Sequence, residues 1–349
     1  MSNFFISTDT MTRASRASVL ATQAQLARKQ TEVASGKISD VGLQIGHRAS
    51  ELVALRHTLA ASSAQQGANA ITASRLESSQ GALTDIGRIA NGFLGAVLAA
   101  RGSAVASDQL GSQARTAMSA LADRLNTNTG GEFLFAGINT GEAPVVSYFA
   151  AAGNAARNSI LQAFQAKFGV LPTDPDVVDI TPEDMSNFIS NELASQFADA
   201  AWSANWSTAA SQTPTAMIGP SEQQEVGASA NEPPFRQLAQ AIAMVVDLGG
   251  TALKDATRAV VLQKATELAG GAQAGIASVA SRLGLTQQRI EQANEQLSLK
   301  VDIVTKQLSA LESADPYTTA TDLNELMRRL EASYATTARI QNLSLLAYL

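Results

Sequence analysis

Cysteine is absent from all 349 residues. That excludes disulfides, thiolate catalysis and cysteine-ligated metal. Aromatic residues are scarce, at 5% against a hydrophobic content of 45%, so most apolar side chains are Ala, Leu, Val and Ile. Such a composition suits helices packed closely on small side chains better than a thick aromatic core. Histidine occurs only at His47 and His57, ten residues apart. On one helix that spacing puts them on different faces, which leaves no joint metal site and no Ser/His/Asp arrangement. No apolar run approaches the roughly 18–20 residues of a membrane span. The 25 Lys and Arg are scattered under a net charge of −6, with no basic stripe interleaved with aromatics, so nucleic acid is not an expected partner. The N-terminal "MSNFFISTDTMTRASR" has apolar residues too few and too interrupted for a signal-peptide core. If the protein leaves the cytoplasm, export without a cleavable signal peptide is expected.

Two fragments of known chemistry fail on inspection. "SGK" at 35–37 lacks the first glycine of a phosphate loop, and Ile38 stands where Ser or Thr is needed. The acidic group Asp174, Asp176, Asp179, Glu183 and Asp184 lacks the glycine and terminal glutamate of a calcium loop. A solvated loop with a helix cap accounts for it better. No catalytic residue, cofactor site or metal site is expected, and the chain does not read as an enzyme.

What the sequence does contain is helix. From residue 8 to about 34, Val19, Leu26 and Val33 recur every seven residues. "SGKISDVGLQIG" interrupts with three glycines. Leu52, Leu55, Leu59, Leu76, Leu83 and Ile86 carry the next helix to about 100, and Leu110, Ala114, Ala117, Leu121 and Leu125 another. "GGEFLFAGINTG" follows and reads as a short hairpin. Phe133 and Phe135 share one face for packing onto the helices, with "INTG" as the turn. Residues 138–235 hold most of the prolines and both tryptophans and read as a mixed insert. Within it Thr181 caps a helix with Pro182 at its first position, and "TAMIGPSEQQEVGAS" offers a second hairpin.

The C-terminal third carries an unbroken column: Ile276, Leu283, Ile290, Leu297, Val304 and Leu311, each seven residues apart. A strict heptad column of this length predicts a long bundle helix or coiled coil. Its second seam position passes through Lys300 and resumes one residue later at Val301 and Leu308. Pro316 then interrupts, with Asp315 available as a cap, and a last amphipathic helix carries Leu323, Leu326, Leu330, Tyr334 and Ile340 to "LSLLAYL".

The expected fold is mainly α, a long antiparallel helical bundle or coiled coil built from the N- and C-terminal halves, with a β-hairpin and a small mixed α/β insert domain. The segments are 1–40, a terminal assembly helix; 41–137, the N-terminal bundle part with the hairpin; 138–235, the variable insert; 236–314, the C-terminal bundle part; and 315–349, a second assembly helix. Amphipathic ends joined by Gly- and Pro-marked breaks have little core of their own, which suggests that their apolar stripes meet other copies. The candidate assembly residues are Val19, Leu26, Val33, Leu326, Leu330, Tyr334, Leu345, Leu346 and Leu349.

"LARKQTEVASGKISDVGLQIGHRASELVALR", "GGEFLFAG" and "LEASYATTARIQNLSLLAYL" resemble, in order and placement, the N-terminal, hairpin and C-terminal regions of bacterial flagellins and their relatives. The "ISTDTM" start and "SLLAYL" end are similar to the branch of the family that joins hook to filament more than to filament flagellin. The match covers roughly 1–140 and 235–349. Where the family has a Pro-Ser-Asp-Asp-Pro type segment, this chain has "SDVGLQIGHRA", a form that resembles junction proteins and flagellins of some alphaproteobacteria. The resemblance implies a structural subunit of the extracellular flagellum. It implies export through the type III apparatus with an export chaperone, and a ring or tube of copies meeting another hook-associated protein and filament flagellin. Contacts that do not close a ring generate such tubes, and ends that gain partners only from neighbours order on assembly.

Overall fold

The computed structural model describes residues 8–41, 46–101, 106–150, 154–249 and 252–346. Among them lie nine α-helices and two small antiparallel strand pairs. The chain groups into two compact units, Met1–Ala64 with Leu297–Leu349, and Gln65–Gln296. The contacts divide the chain at points inside two long helices, α2 (Ala49–Ala100) and α8 (Asp255–Glu312). A glycine break interrupts backbone periodicity without ending the packing around it.

The terminal unit holds α1 (Thr8–Ser35), the start of α2, the end of α8 and α9 (Pro316–Leu346). Its core is small: Leu52, Val304, Leu308 and Leu311, flanked by Val41, Leu55 and Leu59. Lys300 is exposed and Val301 half-buried, so the seam of α8 does shift by one residue here. Asp315 caps α9, its Oδ1 accepting the Tyr317 N–H at 3.0 Å, with Pro316 opening the helix.

The central unit is far denser. On α2, Leu76, Leu83, Ala90 and Val97 form one buried heptad column and Ile86 and Phe93 part of a second. They share one core with α3 (Ala106–Leu125), α7 (Pro233–Leu248) and the Ile276, Leu283 and Ile290 face of α8. From Leu238 to Val245 every residue of α7 is buried, as befits a helix that is mostly apolar all round.

The first hairpin differs from expectation. Its strands are only β1 (Asn128–Thr129) and β2 (Glu132–Phe133), and the turn is Gly130–Gly131, not "INTG". Both glycines have positive φ, 65° and 89°, as a type I′ turn requires. "INTG" instead curls back, Thr140 O accepting the Phe133 N–H at 2.8 Å. Strand alternation ends with β2: Leu134, Phe135 and Ala136 are all buried, while Phe133 is half-buried. Phe135 meets Phe235 of α7 edge-on, ring centroids 5.8 Å apart.

The insert adds α4 (Ala155–Phe168), α5 (Pro182–Phe188), α6 (Asp199–Asn205) and the hairpin β3 (Thr215–Gly219) with β4 (Glu222–Glu225). Thr181 caps α5, its hydroxyl accepting the Asp184 N–H at 3.2 Å. The insert has no core of its own, because its apolar residues join the bundle core. Trp206 stacks between Tyr148 and Trp202, with both pairs of centroids 5.1 Å apart. Tyr148 donates its hydroxyl to Asp247 of α7, and Arg157 of α4 donates Nε and Nη2 to the same carboxylate at 2.9 and 2.8 Å. Burial and the neighbouring carboxylate push the Tyr148 hydroxyl well above its ordinary pKa, so it stays a donor.

Candidate assembly interface

α1 and α9 pack against each other inside the terminal unit. Their facing residues follow alternating steps of four and three. On α1 these are Ser15, Val19, Thr22, Leu26 and Lys29; on α9 they are Thr319, Leu323, Leu326, Leu330, Ser333 and Thr337. The helices run antiparallel, because Ser15 bonds Thr337 at 2.8 Å and Lys29 pairs with Asp322 at 3.1 Å. Tyr334 Oη accepts from Gln23 Nε2 at 2.6 Å. Only Leu326 among the apolar seam residues is buried. The seam therefore combines half-buried leucines with hydroxyls and a lysine, which stabilises the pair far less than a closed apolar core would.

A second group ties the chain breaks together. At the end of α1, Gly36 turns with φ 68°. Ile38 N–H donates to Glu312 O at 2.8 Å, and Ala314 N–H to Gly36 O at 3.0 Å. The break after α1 is thus bonded in short antiparallel fashion to the break after α8. Two carboxylates brace this clasp. Glu32 accepts both the N–H and the hydroxyl of Ser39 at 3.0 Å and pairs with Lys29 at 3.0 Å. Glu312 accepts from Arg56 Nη2 at 2.5 Å, with Lys37 at 3.5 Å. Burial alone would raise Glu32, but the Ser39 and Lys29 donors outweigh it and hold it below the usual carboxylate range. The Arg56 guanidinium does the same for Glu312 against its burial. The Glu32 contact raises Lys29 in turn. Beside the clasp a groove of about 390 Å³ is lined by Arg28, Lys29, Glu32, Asp40, Asp322, Glu325 and Arg329 among others.

The residues singled out from sequence fall into different places. Val19, Leu26 and Leu330 are half-buried and Leu326 buried, all between α1 and α9. Val33 and Tyr334 are largely exposed, at 48% and 49%. The side chains of Leu345 and Leu346, and all of Leu349, lie outside the described residues. Sequence reasoning missed Glu32, Lys29, Arg56 and Glu312, whose partners lie up to 293 positions away along the chain. The one local hint was Glu32 standing beside the expected apolar position Val33. Among the described residues no group of three or more His, Cys, Asp or Glu could hold a metal ion. No described helix is long and apolar enough to cross a membrane.

The helices of this interface, and those leading into them, match known sequences. The bacterial flagellin N-terminal helical region matches residues 6–140, and the bacterial flagellin C-terminal helical region matches 266–349. Together the two span well over half of the chain. The chain belongs to the bacterial flagellin family. Members of this flagellin family are structural and self-assemble into flagellar polymers, so the chain is a structural, non-enzymatic component of the bacterial flagellum. No curated protein matches it closely enough to add detail. Among solved structures, one described as a "putative flagellar hook-associated protein from Vibrio parahaemolyticus" shares the fold. Its TM-score is 0.53 at 10% identity, over 77% of this chain and 99% of that one.

Proposed function

We propose that this flagellin-family subunit is a hook–filament junction protein (hook-associated protein 3), a mechanical adaptor ring between hook and filament. The observation that carries the reading is the helix pair α1–α9, whose seam is half-open and polar and so depends on neighbours for full burial. The family match supports assembly, and the fold shared with a structure described as hook-associated favours the junction over the filament. Val33 and Tyr334, exposed beside the seam, meet neighbouring copies in this reading, as do Leu345, Leu346 and Leu349. Val19, Leu26, Leu326 and Leu330 hold the pair that presents them. The subunit leaves the cell through the flagellar type III apparatus, escorted by an export chaperone. It then works outside the cell, between another hook-associated protein and filament flagellin.

The alternative, a filament flagellin or flagellin-like surface protein, rests on the same family match. Deleting the gene separates the two. The junction role predicts completed hooks that retain no filament, with flagellin shed into the medium. Loss of the bulk filament protein from sheared flagella would establish the alternative instead.

A further inference from the structure

The long-helix seam carries a polar break that the insert covers. On α2 the apolar column stops below Leu76, and the inward positions become Asn69, 1% exposed, and the half-buried Gln65. Opposite, α8 presents Thr286 and Asn294. Ile290 and Ala293 keep α8 apolar between them, but the amides of α2 bury less apolar surface here and each buried amide group needs a partner. The β3–β4 hairpin supplies part of them. Asn69 Nδ2 donates to Ile218 O at 2.9 Å and to Asn294 Oδ1 at 2.8 Å. Gln65 Nε2 donates to Met217 O at 2.6 Å and to Asn69 Oδ1 at 2.9 Å. The Thr286 hydroxyl lies 3.3 Å from Glu225 O and equally far from Arg282 O of its own helix. Ile218, fully buried, adds an apolar contact at the break.

We propose that the β3–β4 hairpin is a strap, holding α2 and α8 together at this break by supplying partners to Gln65, Asn69 and Thr286. The hairpin lies outside both family-matched regions, whereas Asn69 and Asn294 lie inside them. The insert thus braces the family helices in addition to decorating them.

Hydrogen exchange on the full chain tests this. Asn69→Ala should speed amide exchange at least about tenfold in 65–72 and 286–296, and leave 80–90 and 276–283 unchanged. Ile218→Ser, made from the hairpin side, should loosen the same two segments. Unchanged protection, a uniform loss throughout Gln65–Gln296, or loosening by Asn69→Ala without loosening by Ile218→Ser would each overturn the strap. Should Asn69→Ala fail to fold, Gln65→Ala removes one bond to the hairpin and should show the same local pattern at about threefold. A flat response there overturns the proposal equally.

Discussion

The terminal and central units use the same building element, an amphipathic helix, to opposite ends. In the central unit α7 is enclosed by apolar neighbours and Phe235 is fully buried. In the terminal unit the α1–α9 seam has one buried leucine and one buried threonine and is otherwise half-open, held in register by Ser15–Thr337, Gln23–Tyr334 and Lys29–Asp322. The first arrangement stabilises a subunit alone. The second fixes direction and register cheaply and leaves apolar surface unsatisfied. Stability and the capacity to assemble are therefore carried by different residues, and changes to each should show it.

The largest effect should come from removing the ends. Without residues 1–34 or 317–349, assembly onto isolated hooks should be lost while calorimetry still records the central unit's transition. A central unit that unfolds with them would break the contrast. Next in size, Phe235→Ala should cost about 3–5 kcal/mol of unfolding free energy in the central unit, read from denaturant titration. Leu326→Ala faces half-exposed neighbours and should cost only about 1–2 kcal/mol, confined to the amide exchange of α1 and α9. A smaller effect still concerns acid. Glu32 and Glu312 both sit below the usual carboxylate range in the folded chain. Their contribution is therefore complete above the unfolded-chain value of about 4.3, and is lost as pH falls through the lower folded values. The Ile38 and Ala314 amide resonances should report that loss, and Glu312→Gln should remove its share of the step. Smallest of all, Arg329→Ala deletes an exposed pair with Glu325 and should change stability by no more than about 0.5 kcal/mol.

Much of this was legible in the residues. The column from Ile276 to Leu311 is buried at all six positions because a strict heptad leaves a long helix only one face to bury. Asp315–Pro316 and Thr181–Pro182 signal helix starts through local chemistry alone, and both act so. The first hairpin was misplaced because Gly130–Gly131 stops a helix and makes a tight turn equally well, and only pairing decides between the two. The carboxylates of the clasp were not legible. Glu312 and Arg56 lie 256 positions apart, and nothing near either announces the other. The same holds for Tyr148, Arg157 and Asp247, which look like ordinary surface residues until the fold removes them from water.

The clasp also has a mechanical meaning. By covalent connection, a pull on α1 reaches α2 only through the chain between Gly36 and Arg48. The bonds from Ile38 to Glu312 and from Ala314 to Gly36 open a second route, straight to the end of α8. That helix is 58 residues of continuous hydrogen-bonded ladder. Tension or torque arriving at the N-terminal helix can thus pass to the starts and ends of both long helices at the clasp as well as along the α1–α9 seam, so cutting the clasp should leave the fold standing and make the terminal unit a softer spring.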